Sequence, residues 1–319
     1  MEIHDPQRGW LAQDEQITRY PIPDTQLIMK SGFVNIIGNP NVGKSTLMNA
    51  LVGERLSVIT AKSQTTRHRI FGIVNGDDYQ IVYSDTPGMI KPAYKLQEAM
   101  VRSARSALSD ADILLYVTDV LETADKNPDI ISIVQQSKVP LLLILNKIDL
   151  SNQQQVEELV EKWRVIFPKA EIFPCSALLK FNLDNLFTRI LELLPEAPPY
   201  FETDQLTDRP ERFFVTEIIR GAILENYQKE IPYSVEPVVE EFKEETDIIR
   251  IRTVIYVERD SQKGILIGHK GSSLKRVGMQ SRKDLEVFFG KKVFLEMFVK
   301  VAQDWRNRPE SLKSFGYEL

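Results

Sequence analysis

Residues 33–49 read FVNIIGNPNVGKSTLMN, and within them Gly38, Gly43, Lys44 and Ser45 complete the spacing GxxxxGKS. Apolar and β-prone residues precede the first glycine and the helix-compatible run TLMNALV follows the serine, so the motif falls at a strand-to-helix turn. That context constrains the fold strongly. Glycines let backbone N–H groups close around a polyphosphate at a helix N-terminus, a lysine adds a point charge at the outer phosphates, and a serine hydroxyl can ligate Mg²⁺. Gly38, Asn39, Pro40, Asn41, Val42, Gly43, Lys44, Ser45 and Thr46 are therefore candidates for a phosphate site. A loop of this kind belongs to an α/β fold with a mostly parallel sheet.

Downstream runs agree with such a sheet. After a long polar stretch, ERLSVITAKSQTTRHR at 54–69, the β-prone run YQIVYS at 79–84 ends in Asp85, Thr86, Pro87 and Gly88. A DxxG at a strand end can place a carboxylate on a magnesium-bound water and a glycine N–H at a γ-phosphate. Such tetrads are common, and this one gains meaning from the upstream phosphate loop. ILLYVTD at 113–119 and VPLLLIL at 139–145 are continuous apolar runs, as expected of parallel strands covered on both faces. The second leads into Asn146, Lys147, Ile148 and Asp149. A carboxylate at Asp149 can accept two hydrogen bonds from guanine N1 and N2, for which adenine has no equivalent donors. Asn146 can bond the other purine edge, and Lys147 can lay its stem along the ring. A further run, EIFPC at 171–175, closes on Ser176, Ala177 and Leu178, whose backbone could reach guanine O6. Residues 182–194 make an amphipathic helix with Asn182 as the expected N-cap.

At 319 residues the chain suits two domains. The proline- and acid-rich stretch LPEAPPYFETDQLTDRPERF at 194–213 reads as the join. The expected division is an N-terminal extension over 1–28, a nucleotide domain over 29–197, a linker over 198–210 that leaves the two units folding separately, and a second domain over 211–319. The extension is polar, with no basic-then-apolar signal pattern, and is expected to be poorly ordered. No apolar run approaches the ~20 residues of a membrane span. The single cysteine, Cys175, excludes an intrachain disulfide and reads as a buried small residue in a reducing compartment. The net charge of −5 hides a contrast: residues 225–247 carry eight acids and two bases, whereas residues 259–308 carry twelve bases and five acids. The basic end is the one suited to an anionic partner.

That end contains a helix from about Arg209, strands near 235–242 and 248–258, and then GILIGHKGSSLKRVG at 264–278. Gly268, His269, Lys270 and Gly271 form a GxxG, read as lying between an apolar turn and a basic helix that runs to about Phe289. A final strand is expected at 293–301.

GNPNVGKST, QTTRH, DTPG, NKID and SAL, in this order, resemble the guanine-nucleotide signature set of the translation-factor-related GTPases, over about residues 30–195. GILIGHKGSSLKRVG behind two strands resembles a KH RNA-binding domain of the αββααβ type. Their direct union is similar to the Era family of bacterial ribosome-assembly GTPases, over about residues 30–315. The resemblance implies a P-loop GTPase domain with a mostly parallel sheet, followed by an α+β KH domain of type II. It implies that Thr66 meets Mg²⁺ and the γ-phosphate, with Thr65 the alternative, beside Ser45 and Asp85. Lys44, Thr66 and Gly88 would then carry the catalytic contacts for hydrolysis of GTP to GDP. Met89 stands where Ras-like proteins have a water-orienting glutamine. An apolar side chain cannot do that job, so unassisted turnover should be slow. Asn41 resembles the P-loop asparagine that helps hold K⁺ in GTPases lacking the glutamine.

In the KH-like stretch the glycines would let backbone approach about four nucleotides, with Lys270, Lys275 and Arg276 on phosphates and Ile265 and Ile267 flooring the groove. His269 would touch backbone or phosphate. The implied partners are GTP and GDP, small-subunit ribosomal RNA near its 3′ end, and the 30S subunit, for a cytoplasmic monomer. Peripheral association with the inner face of the plasma membrane is a second expected location. Two rival classes are a nucleotide-gated adaptor at anionic lipid and an RNA-dependent ATPase. The GxxG frame speaks against the first, and NKID against the second.

Overall fold

The computed structural model describes residues 28–122 and 128–319. The N-terminal extension expected over 1–28 lies outside the described residues except for Ile28. The first half runs β1 (Met29–Gly38), α1 (Lys44–Val52), β2 (Ile70–Asn75), β3 (Tyr79–Asp85), α2 (Lys95–Ser109), β4 (Ile113–Asp119), α3 (Pro128–Gln135), β5 (Leu141–Asn146), α4 (Gln153–Ile166), β6 (Glu171–Pro174), α5 (Leu183–Leu193) and β7 (Glu196–Ala197). Strand order is β2-β3-β1-β4-β5-β6, parallel except that β2 runs antiparallel to β3 and the short β7 antiparallel to β1.

Alternation within β1 shows why these strands are apolar throughout. Ile36 packs with Leu47, Leu115 and Ile190 on one face, and Ile37 packs with Tyr116, Leu143 and Trp163 on the other. With helices on both faces, only the carboxyl ends of the strands are free to carry a site. The loops after β1, β3, β4, β5 and β6 all open there. Asn182 occupies the position before α5, but in a left-handed conformation at φ 62° and without a side-chain cap. Its amide instead donates to the Pro174 carbonyl at 2.9 Å, which corrects the capping role expected of it.

The second half follows the expected αββααβ order: α6 (Glu211–Asn226), β8 (Glu236–Glu244), β9 (Ile248–Val257), α7 (Asp260–Ile267), α8 (Ser272–Phe289) and β10 (Lys292–Val301), then α9 (Pro309–Ser314). β9 is central, antiparallel to β8 and parallel to β10. The apolar turn expected before the GxxG is the helix α7. Its start is fixed by Gln262, whose side-chain oxygen accepts from the Glu258 and Arg259 N–H groups at 2.9 and 3.1 Å. Only Gln262 and Leu266 of this short helix are buried, so it shows no readable apolar period.

Residues 198–210 are packed rather than free. Tyr200 lies 4.8 Å from Phe33 and Phe201 6.3 Å from Phe71, ring to ring. Gln80 accepts from the Tyr200 and Phe201 N–H groups, and the Leu206 carbonyl and Asp208 carboxylate accept from Ile73 and Phe71 on the edge strand β2. The strap thereby covers an edge that would otherwise stand open. The halves also meet directly. Leu96, Ala99 and Met100 of α2 cluster with Trp305, Leu312 and Tyr317, and Val58 packs against Gly221 so closely that a Cβ there would come within 2.6 Å. The two expected units are thus joined by direct contacts as well as by the linker.

Candidate functional site

Two glycines shape the loop between β1 and α1. At Gly38 a Cβ would fall 2.2 Å from the Val117 carbonyl oxygen, and at Gly43, with φ 98°, it would fall 2.3 Å from the Asn146 amide. Lys44 arches over this loop, its Nζ donating to the Gly38 and Asn39 carbonyls at 3.2 and 2.8 Å. Burial pushes its pKa down to about 8 against the pull of Asp85 and Glu122.

Beside it three oxygens converge. Ser45 Oγ donates to Asp85 Oδ2 at 2.6 Å, Thr66 Oγ1 donates to the same oxygen at 3.2 Å, and the two hydroxyls are 3.0 Å apart. Asp85 Oδ1 is buried with no hydrogen-bond partner, and burial raises the carboxyl's pKa. A carboxylate with one oxygen on two neighbouring hydroxyls and the other without a partner is a donor set that fits a hard divalent cation and its waters. Of the two neighbouring threonines, Thr66 is the one beside Ser45 and Asp85. Thr65 Oγ1 is engaged by the Thr60 hydroxyl at 2.6 Å and the Lys62 carbonyl at 2.7 Å, leaving Thr66 to face Ser45.

From Lys44 the cavity, about 440 Å³, runs past Asn41 to Lys147, Asp149 and Leu178. Lys147, held at φ 61°, donates from Nζ to the Asn41 carbonyl at 2.5 Å and to Asp119 Oδ2 at 2.6 Å, so its stem is stretched along one side. Asp149 is exposed into the cavity. Ser176 and Ala177 are buried, and Leu178 stands at the mouth, 74% exposed. Both ends of the Asn146 amide are engaged within the protein: Nδ2 donates to the Val42 carbonyl at 2.9 Å and Oδ1 accepts from the Ala177 N–H at 3.0 Å. These bonds tie the phosphate loop to the loop after β6 and leave Nδ2 its second hydrogen for the purine-edge contact expected of Asn146. Behind it Cys175 is buried, and burial pushes its thiol up to about 12, in keeping with an inert core residue.

Met89 is buried in the core beside Ile37, its N–H bonded to the Gly38 carbonyl at 3.2 Å, so its side chain reaches nothing in the cavity. Gly88 lies against Pro40, where a Cβ would come within 2.9 Å. The opposite wall is Val58, Ile59, Thr60, Ala61, Lys62 and Gln64. Apart from Gln64 in QTTRH, sequence reading singled out none of these residues by itself, because an irregular loop has no period and its signal is its length. Asp119 and Glu122, which carry no motif, were missed as well.

In the second half, the turn between α7 and α8 projects Gly268 at φ 73°, Lys270 at φ 49° and Gly271 at φ 79° in succession. A Cβ at Gly268 would strike Ser273 Oγ at 2.3 Å, whereas Gly271 faces open space. His269, Lys270, Lys275 and Arg276 are all exposed around this turn, and Ile265 is exposed beside it, whereas Ile267 is half-buried against the domain core. The base of the turn is fixed by Tyr227, whose hydroxyl donates to the Leu266 carbonyl at 2.6 Å.

A phosphate loop with a guanine-type strand end, on a sheet packed against an αββααβ unit with a GxxG turn, defines a GTPase domain fused to a KH domain. Residues 33–147 match the family described as "50S ribosome-binding GTPase", and residues 230–306 the family described as "KH domain". The chain is 46% identical over 294 residues to GTPase Era of Syntrophus aciditrophicus, covering 91% of this chain and 96% of that protein. It is 43% identical over 290 residues to GTPase Era of Staphylococcus epidermidis, covering 90% and 97%. Its fold matches the crystal structure of Era in complex with MgGDPNP and nucleotides 1506–1542 of 16S ribosomal RNA, with a TM-score of 0.86, 38% identity, and coverage of 91% of this chain and all of that one. The chain belongs to the Era family of GTPases.

Proposed function

We propose that this chain is a Mg²⁺-dependent GTP/GDP switch whose KH domain binds small-subunit ribosomal RNA near its 3′ end and assists assembly of the 30S subunit. The observation that carries this reading is the segment 58–67, which lines the nucleotide cavity on one side and contacts the KH domain through Val58 and Arg67 on the other. A segment shared in this way gives the nucleotide state a route to the KH domain.

The loop amides and Lys44 bind phosphates, and Ser45, Thr66 and Asp85 would hold Mg²⁺, which when bound would supply charge neutralisation at the outer phosphates. The Gly88 N–H meets the γ-phosphate, Asp149 reads guanine N1 and N2, Lys147 covers the ring, and the Ser176, Ala177 and Leu178 backbone faces O6. With Met89 turned into the core, no side chain from that position orients water, so intrinsic hydrolysis is slow. Asn41, whose amide donates to the Ala61 carbonyl at 3.2 Å, ties the phosphate loop to the facing wall at the place where K⁺ could join them.

The exposed cations Lys270, Lys275 and Arg276 contact RNA phosphates, beside a backbone that two glycines and a left-handed Lys270 turn outward. The description "50S" attaches to the GTPase half alone, whereas the relative bound to 16S nucleotides matches across both halves. The small-subunit reading follows from that difference in coverage. Among the described residues no helix is long and apolar enough to cross a membrane. The working location is the cytoplasm, with peripheral contact at the inner membrane face. Crosslinking in cells, mapped to residues 264–278, tests the reading. Small-subunit 3′ RNA attached there supports it, and attachment of large-subunit RNA alone would overturn it.

A further inference from the structure

β4 ends in a turn that no nucleotide motif includes. Asp119, 5% exposed, accepts from the Leu121 N–H through Oδ1 at 2.9 Å, and its carbonyl accepts from the Glu122 N–H at 3.2 Å. The turn therefore presents two buried carboxylates, and they bond to two different nucleotide-site segments. Asp119 Oδ2 meets Lys147 Nζ at 2.6 Å, on the base side. Glu122, 7% exposed, accepts from Asn39 Nδ2 at 2.7 Å through Oε1 and from Thr118 Oγ1 at 3.1 Å through Oε2. Asn39 is in turn the residue whose carbonyl receives Lys44 Nζ, on the phosphate side.

Buried carboxylates are costly unless paired and hydrogen-bonded, and each of these has a nucleotide-site residue among its partners. Neither lines the cavity itself. We infer that the Asp119–Glu122 turn is a positioning brace, in which Asp119 fixes the lysine over the base and Glu122 fixes the loop under the phosphates, so that one rigid turn sets the spacing between the two halves of the guanine nucleotide. The brace rests on the reading of Lys147 and Asp149 as the base site. It acts on the whole nucleotide and not on base choice, because Lys147 covers a ring face while Asp149 reads the edge.

Displacement of a fluorescent GDP tests it. Asp119→Asn keeps the volume and the acceptor for Leu121 but removes the charge facing Lys147, and should weaken GDP and GTP alike by roughly tenfold. The ratio of GDP to IDP affinity, which Asp149 sets, should not move. Glu122→Ala should weaken GDP by a similar factor, and Glu122→Gln, which retains an acceptor for Asn39, should restore most of it. Double-mutant cycles then separate positioning from general damage. Asp119→Asn should add nothing in a Lys147→Ala background, and Glu122→Ala nothing in an Asn39→Ala background. Factors that multiply in full in either background, or a shifted GDP to IDP ratio in Asp119→Asn, would overturn the brace. If Lys147→Ala by itself leaves GDP binding unchanged, the base-site reading fails, and the brace with it.

Discussion

Arg67 Nη1 lies 2.8 Å from Glu236 Oε2, with the two side chains 1% and 4% exposed, and Arg67 is the immediate neighbour of Thr66. Consecutive residues thus face different domains: the Thr66 hydroxyl is 3.0 Å from Ser45 in the nucleotide site, while the Arg67 guanidinium also donates to the Val235, Pro232 and Tyr233 carbonyls of the KH half. Burial opposes the Arg67 charge, but Tyr317 and Glu236 more than offset it. Tyr317 completes the set by donating to Glu236 at 2.8 Å while its ring stacks on His68.

Removing one member strands the other. Arg67→Met should lower stability by about 3 kcal/mol or more, because a buried carboxylate loses its counter-charge. Adding Glu236→Gln should recover part of that loss. Urea midpoints of the wild type, both single variants and the double variant check it, and a double variant no more stable than Arg67→Met would contradict the pairing.

Lys44 gives a pH signature. Its folded pKa of about 8 lies below the ordinary 10.5 because of burial, so across that window the unfolded chain holds a proton that the nucleotide-free protein lacks. Stability of the free protein from this group therefore rises as pH climbs from 8 to 10.5, and its burial cost is fully present below 8. Bound phosphates favour the ammonium, so GDP binding should take up close to one proton at about pH 9 and almost none at about pH 7. Calorimetry in two buffers of different ionisation heat measures this. Equal uptake at both pH values would remove Lys44 as the source.

Asp149→Asn should exchange guanine for xanthine preference. The amide cannot accept from both guanine donors but can pair with the xanthine carbonyl, and GDP affinity should drop by about a hundredfold or more. Competition between GDP and XDP reads it directly, and retained GDP affinity with no gain for XDP would take Asp149 out of the base pocket.

Potassium should speed GTP hydrolysis relative to sodium at equal ionic strength, and Asn41→Ala should abolish the difference. Phosphate release in the two salts checks it. Equal rates in the wild type would leave Asn41 as a structural tie to Ala61 only.

His269→Asp with Lys270→Asp should abolish binding of an oligonucleotide carrying the small-subunit 3′ sequence, since two carboxylates would stand where a phosphate must pass. Nucleotide affinity should be unchanged, because both residues are exposed at the α7–α8 turn and outside the lining of the nucleotide cavity. RNA titration and GDP titration on one sample test both halves of the claim. Wild-type RNA affinity would reduce the GxxG to a turn.

Much of this molecule was legible before any coordinates. The phosphate loop, DTPG, NKID and the GxxG are short because their chemistry is local: glycines at positive φ, a carboxylate at a strand end and a lysine after a loop are encoded within a few adjacent residues. The continuous apolar runs gave the parallel strands for the same reason, as each residue of a strand covered on both faces must be apolar whichever way it points. Other features depend on partners far along the chain. Sequence reading named Thr66 with Thr65 as the alternative, and the proximity of Thr66 to Ser45 and Asp85 appears only in the fold. The packing of residues 198–210 depends on Gln80, Phe33 and Phe71, and the burial of Arg67 on Glu236 and Tyr317. The brace at Asp119 and Glu122 exists only because β4 lies between β1 and β5, which brings one turn within reach of Asn39 and Lys147. Local backbone demands determined the identity of the site, and long-range packing alone decided which charges are buried, which loops are tied, and how the nucleotide cavity reaches the KH domain.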